Sequence, residues 1–274
     1  MSASLGLHGA VAAAPGPDLD VKDVTVRFGG TVAVNEVSIH AKGGAITGLI
    51  GPNGAGKTTF FNACTGRVKP VSGTVHLGAQ HLDGHGSANR AHRGLGRTFQ
   101  RMELFESMNV FENVRTGPEA FYSSRHFYGQ LFGPRGESKA IRTRTLDAME
   151  RCRIAGLATK IVADLSTGQR RLVELARAIA TPFSFLLLDE PSSGLDRTET
   201  EAFGSVLQTY VADTGCGILL VEHDMSLVAT VCSEIYVLDF GRLIYTGTTA
   251  EALASDTVKA AYLGEANAEL AAVS

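Results

Sequence analysis

Eight consecutive residues, Gly51-Pro52-Asn53-Gly54-Ala55-Gly56-Lys57-Thr58, follow the pattern G-x-x-x-x-G-K-[ST] at every fixed position. Glycines at this spacing let successive backbone N–H groups turn inward around a polyphosphate, at the positive end of a following helix. In that chemistry Lys57 reaches the β- and γ-phosphates, and the Thr58 hydroxyl ligates Mg²⁺. The surroundings suit it. Ala45–Ile50 is an apolar run of strand length, and Thr58–Thr65 reads as a helix. Asn53, Gly54, Ala55, Gly56, Lys57, Thr58 and Thr59 are therefore candidate contacts to the phosphates of a nucleotide.

A phosphate loop has no base of its own and needs a second partner for the metal. Phe185-Leu186-Leu187-Leu188 delivers Asp189 and Glu190 at the end of a continuous apolar run, the mark of a strand buried on both faces. Asp189 is placed to hold Mg²⁺ and Glu190 to polarise an attacking water. Taken alone an Asp-Glu pair is common at strand ends; its force comes from the loop.

The elements that must position these groups are legible along the chain. Asp20–Phe28 and Val32–His40 alternate apolar and polar residues on either side of Gly29-Gly30, which predicts a hairpin. Gly73–Leu77, Ile218–Val221, Ile235–Leu238 and Leu243–Thr246 read as further strands. Gly168–Ala180 is a helix with Pro182 beyond its end, and Thr248–Glu251 fits a capping box. Between Met108 and Ala163 the composition turns helical, with Ile141, Leu146, Met149 and Cys152 expected on one face of a helix over Ser138–Ile154.

The 274 residues, with 44% apolar and 19% charged side chains and a net charge of −3, suit a folded chain with a sizeable core. The balance excludes a mostly disordered chain and gives no general attraction to nucleic acid. Cys64, Cys152, Cys216 and Cys232 have no C-x-x-C spacing and read as reduced thiols. No stretch reaches the ~20 apolar residues of a membrane span. Arg90, Arg93, Arg97 and Arg101 form a basic run that reads as a solvated or interdomain face.

Between the two chemical motifs lies Leu165-Ser166-Thr167-Gly168-Gln169. It resembles the signature motif of ABC-transporter ATPases, with Thr167 where glycine is usual. Further motifs of that family follow in order. Arg97-Thr98-Phe99-Gln100 matches the Q-loop, Ser192-Ser193-Gly194-Leu195-Asp196 the D-loop, and Val221-Glu222-His223-Asp224 the switch histidine. Phe28 stands where the family's adenine-stacking aromatic lies. The resemblance covers Asp20 to about Gly264. It implies an α/β P-loop NTPase fold of the ABC ATPase type, with an antiparallel β subdomain and an inserted α-helical subdomain over about 101–165. A single such domain would span 18–264, between a disordered 1–17 extension and a flexible 265–274 tail.

The resemblance also implies roles. Two cassettes would sandwich two ATP molecules head to tail, with Ser166, Gly168 and Gln169 serving the partner's nucleotide and Asp196 lying across the interface. His223 would meet the γ-phosphate, and Gln100 would touch the Mg²⁺ side and relay nucleotide state. Among ABC ATPases, Ile50–Asn62, Arg97–Gln100, the segment from Pro118 to Gly136 and Ala261-Tyr262-Leu263-Gly264-Glu265 look like branched-chain amino acid importers. That points to a second ATPase subunit, alike or different, and two membrane permeases. A solute-binding protein would be an indirect partner, and the chain would sit on the cytoplasmic face of the cell membrane. Urea or amide uptake, lipopolysaccharide export and a non-transport ATPase are the alternatives. Met102, Leu104, Phe105 and Phe111 are expected to help line a groove for a permease helix.

Overall fold

Hydrophobic alternation across Gly29-Gly30 produces a hairpin of β1 (Leu19–Phe28) and β2 (Thr31–Ala41), with Phe28 opposite Thr31. The computed structural model describes residues 13–98, 103–123 and 135–262. β3 (Ile46–Ile50), buried along its whole length, runs into the phosphate loop and α1 (Lys57–Cys64). β4 (Ser72–Leu77) and β5 (Gln80–His81) return to the hairpin, completing an antiparallel sheet in the order β2-β1-β4-β5. α2 (Ser87–His92) and β6 (Leu95–Arg97) lead towards α3 (Val110–Ser123) and α4 (Arg135–Arg151). The second half runs α5 (Thr167–Ala180), β7 (Phe185–Asp189), α6 (Arg197–Thr214), β8 (Gly217–Val221), α7 (Met225–Val231), β9 (Glu234–Asp239), β10 (Arg242–Gly247) and α8 (Thr249–Ala254).

The second sheet has the order β10-β9-β3-β8-β7-β6. β9, β3, β8, β7 and β6 are parallel, and β10 closes one edge antiparallel to β9. Its apolar runs have no polar face because both faces are covered. Leu186 and Leu188 of β7 and Ile218 and Leu220 of β8 pack with helical residues such as Val173 and Phe203. Phe185, Leu187, Leu219 and Val221 point the other way, to Phe60 and Phe61 of α1 and to the antiparallel sheet. Each leucine so buried contributes roughly 1.5–3 kcal/mol.

The insert returns to its starting point. Asn109 bridges to Ile161, and the Val110 N–H donates to the Lys160 carbonyl at 3.0 Å, so α3 and α4 form a lobe closed at its base. The buried face of α4 differs from the one expected. Ile141, Met149 and Cys152 are buried, but Leu146 is 41% exposed and Thr145 takes the inward place at 0%. The Thr145 hydroxyl donates to the Ile141 carbonyl at 2.8 Å, which satisfies its polar group without leaving the helix.

Two helices were not read from the sequence. α6 begins at Asp196 with a capping box to Glu199 and ends at Gly215 in the left-handed region, φ 70°. α7 starts at Asp224, whose side chain accepts from Ser226 and Leu227 N–H. The last residues of the 1–17 extension also need correction. Gly16 N–H donates to the Gly215 carbonyl at 2.7 Å, and a Cβ on Gly43 would strike the Gly16 backbone, so residues 13–17 lie against the domain. Residues 1–12 and the 265–274 tail fall outside the described residues.

The α4 face gives a direct test of packing. Met149→Ala should lower stability by about 2–5 kcal/mol. Leu146→Ala should stay within about 0.5 kcal/mol, as for surface substitutions. Urea unfolding of both variants measures the contrast.

Candidate active site

Register brings three strand ends to one level. Leu49 of β3 and Asp189 of β7 both pair with Val221 of β8, so Gly51, Glu190 and Glu222 leave the sheet at the same edge. Ligands of open α/β sheets bind at this carboxyl edge. The cavity there, about 520 Å³, is lined by Thr31–Ala33, Asn53–Thr59, Glu190, Phe240 and Gly241.

The loop holds its shape by backbone geometry. Gly54 and Gly56 have φ of 76° and 104°, a region closed to most side chains. Gly56 is the residue before the first turn of α1, so the N–H groups from Lys57 onward open into the cavity. Lys57 is buried, and its Nζ donates to the Gly51 and Pro52 carbonyls at 2.6 and 2.9 Å. The cation is thus held over the loop's own oxygens at the place where phosphate oxygens would compete for it.

Glu190 follows the buried strand with φ 47°, a strained conformation for a non-glycine residue, and its N–H donates to the Val221 carbonyl at 2.9 Å. The turn aims it into the cavity beside Thr58 and Lys57. Asp189 is buried, and its carboxyl is pushed above the usual range by burial, opposed by the Arg97 hydrogen bond. Oδ2 accepts from Arg97 at 2.8 Å, whereas Oδ1 is buried with no hydrogen-bond partner among the described residues. A buried carboxylate oxygen without a hydrogen-bond partner among the described residues, at the sheet edge from which the phosphate loop also leaves, is a hard donor of the kind Mg²⁺ prefers. The residues present therefore fit the cation.

Other expected site residues fall elsewhere. Ser166 caps α5: its Oγ accepts from Gln169 N–H at 3.2 Å, and Gln169 Oε1 accepts from Ser166 N–H at 3.3 Å. Gly168 is buried at the start of α5, where a Cβ would meet the Glu199 carboxylate of α6. Asp196 caps α6 through the Glu199 N–H at 2.8 Å. None of these lines the phosphate cavity of its own chain. Phe28 is 53% exposed at the end of β1; the cavity wall is formed by Thr31, its partner across the hairpin. His223 is exposed, with Nδ1 3.9 Å from Glu222 Oε2. Gln100 and Met102 lie outside the described residues.

Two residues carry more than the sequence suggested. Glu222 is buried, accepting from the Ser192 N–H at 2.9 Å and the His223 N–H at 3.3 Å. It ties the loop after β7 to the loop after β8, and burial pushes its carboxyl up. Of the basic run, expected on a solvated or interdomain face, Arg90 and Arg97 turn inward, Arg97 also lining the groove between the lobes, and Arg101 falls outside the described residues. Arg90 donates to the Ala63 and Cys64 carbonyls, and Arg97 to Asn62 and Asp189. Backbone carbonyls at the end of α1 supply the acceptors that a charge pattern cannot display.

A groove of about 700 Å³ separates the sheet from the helical lobe. Leu104 and Phe105 line it; Phe111 does not, and packs against the helical core with the Arg142 guanidinium 5.6 Å from its ring centre. Buried Asn113 holds the rim by accepting from the Phe105 N–H at 2.8 Å and donating to its carbonyl at 3.0 Å.

Comparison with known proteins places these features. The sequence pattern described as "ABC transporter" matches residues 34–193. The chain is 39% identical to the high-affinity branched-chain amino acid transport ATP-binding protein LivG of Salmonella typhimurium, over 91% of this chain and 99% of LivG. It is 32% identical to the lipopolysaccharide export system ATP-binding protein LptB of Escherichia coli, over 90% of this chain and 97% of LptB. Among solved structures, the ADP conformation of MJ1267, an ATP-binding cassette of an ABC transporter, superposes with a TM-score of 0.80 at 27% identity. The match covers 91% of this chain and 99% of that one.

Glu222 gives a pH signature. Its folded carboxyl titrates above its unfolded value, so between the two the unfolded state has released a proton that the folded state keeps. Stability contributed by this group is therefore lost as pH rises from the ordinary glutamate range, about 4.3, through the folded value. Glu222→Gln should remove that decline. Urea midpoints across a pH series should show the variant gaining on the wild type as pH rises.

Proposed function

The chain belongs to the ABC transporter family, and on that premise we propose that it is the ATP-hydrolysing subunit of an importer for branched-chain amino acids or similar small polar solutes. The observation that carries this reading is the division of the site. Lys57, Thr58 and Glu190 share one cavity, whereas Ser166 stands on an exposed helix start away from it. A cavity with loop and base but no clamp suits a chain that completes its site with a second cassette. LivG, whose name states branched-chain amino acid transport, is the nearer of the two compared relatives in identity, 39% against 32% for LptB.

In the proposed reaction Lys57 leaves the Gly51 and Pro52 carbonyls for the β- and γ-phosphates of ATP. The N–H groups at the start of α1 hold the remaining phosphate oxygens. Thr58, Asp189 and Gln100 would hold Mg²⁺, which supplies charge neutralisation at the β- and γ-oxygens when bound. Glu190 accepts the proton of the attacking water as the water oxygen bonds to the γ-phosphorus and the bond from that phosphorus to the β–γ bridging oxygen breaks, with ADP leaving. His223 and the partner's equivalent of Ser166 would meet the γ-phosphate, Gly168, Gln169 and Asp196 would shape the shared interface, and Phe28 would stack on adenine. No helix among the described residues is long and apolar enough to cross a membrane. Transport would therefore run through two separate permeases, with this subunit on the cytoplasmic face and the groove beside Phe105 receiving a permease helix.

Copurification with candidate permeases, followed by solute-dependent ATPase assays in vesicles, tests the whole reading. Stimulation by branched-chain amino acids is expected; stimulation only by lipopolysaccharide would move the chain to export. Glu190→Gln should retain ATP binding and lose about 10²–10⁴-fold in hydrolysis, as for removal of a general base. Ser166→Arg should abolish cooperative hydrolysis yet leave nucleotide binding to the monomer intact; loss of monomer binding would contradict the shared site.

A further inference from the structure

Arg97 is the last residue of β6, three positions before Gln100. Its side chain is 7% exposed and threads between two elements of the phosphate site. NH1 donates to Asn62 Oδ1 on α1 at 2.6 Å, and NH2 donates to Asp189 Oδ2 on β7 at 2.8 Å. The guanidinium carbon lies over the ring of Phe61, 5.5 Å from its centre, and that ring is fully buried. The next residue adds a restraint, since Asp189 N–H donates to Thr98 Oγ1 at 3.4 Å.

The consequence falls on one carboxylate. Oδ2 of Asp189 is occupied by Arg97, and Oδ1 is buried with no hydrogen-bond partner among the described residues. A free carboxylate on a strand end can rotate and share its oxygens; this one cannot without breaking the arginine fork. We infer that Arg97 is a positioning residue for the metal, holding Asp189 Oδ2 so that Oδ1 alone is offered to the Mg²⁺ of the bound nucleotide. The inference rests on the reading of Asp189 as a metal-holding residue.

Arginine suits this task better than lysine. Its planar fork reaches Asn62 and Asp189 at once while lying over Phe61, and a lysine ammonium cannot present two fixed donors in this way. Removing a group that orients a metal-holding residue typically weakens metal binding by about 10–100-fold. Arg97 and Thr98 also line the groove between the lobes, so this restraint stands between the groove and the phosphate cavity.

The test separates metal binding from nucleotide binding in the full-length protein. Mn²⁺ is titrated by electron paramagnetic resonance against protein saturated with a non-hydrolysable ATP analogue. Affinity for a fluorescent ATP analogue is measured in parallel with EDTA. Arg97→Gln should weaken Mn²⁺ by about tenfold or more, with metal-free nucleotide affinity within about twofold of wild type. Arg97→Lys should fall between. Unchanged Mn²⁺ affinity in folded Arg97→Gln, or an equal loss of metal-free nucleotide binding, overturns the inference. Should Arg97→Gln fail to fold, Arg97→Lys decides by the same criterion. Asp189→Asn is the control: if it leaves Mn²⁺ binding unchanged, the reading of Asp189 itself is wrong. If it weakens Mn²⁺ and Arg97→Gln does not, only the role of Arg97 fails.

Discussion

The pairing register of β3, β7 and β8 is the constraint on which the site depends. Leu49, Asp189 and Val221 lie at one level, so the phosphate loop, the Asp-Glu pair and the Glu222-His223 pair all emerge from the same edge. Period-two geometry makes that register hard to alter. A shift of one residue would exchange Leu187 with Leu188 between two differently shaped cores. Packing on both faces of the sheet therefore fixes the chemistry at its end.

Polar groups buried at that edge are held in pairs across elements. Arg97 joins α1 to β7, Glu222 joins the loop after β7 to that after β8, and Arg171 joins α5 to the Ser193 carbonyl at 3.1 Å. Each pays a desolvation cost that its hydrogen bonds offset. The result is a set of loops tied to one another by hydrogen bonds. The Glu199 carboxylate that caps α6 lies beside Gly168 at the start of α5, and none of Ser166, Gly168 and Asp196 lines the phosphate cavity.

Much of this was legible beforehand because its signals are local. The phosphate loop, the hairpin across Gly29-Gly30 and the continuous apolar strands each declare themselves within a few residues. α6 is less legible although Asp196, Glu199 and Gly215 are ordinary cap residues, because its buried face mixes Thr200 and Gly204 with Phe203, Leu207 and Val211. Leu146 stands outside the buried face of α4 because Thr145 takes the inward position once its hydroxyl bonds to the Ile141 carbonyl.

The sequence by itself determined which side chains could bind phosphate, hold a metal and act as a base, since residue type and short spacing decide those capacities. Tertiary structure alone decided which of them meet. It set Glu190 in the cavity by a left-handed turn after a buried strand. It turned Arg90 and Arg97 into internal ties, because acceptors on α1 and β7, 26 to 92 residues away, meet their guanidinium groups. A desolvated charge is placed by its partners, and partners distant in sequence come together only when the sheet and its helices pack.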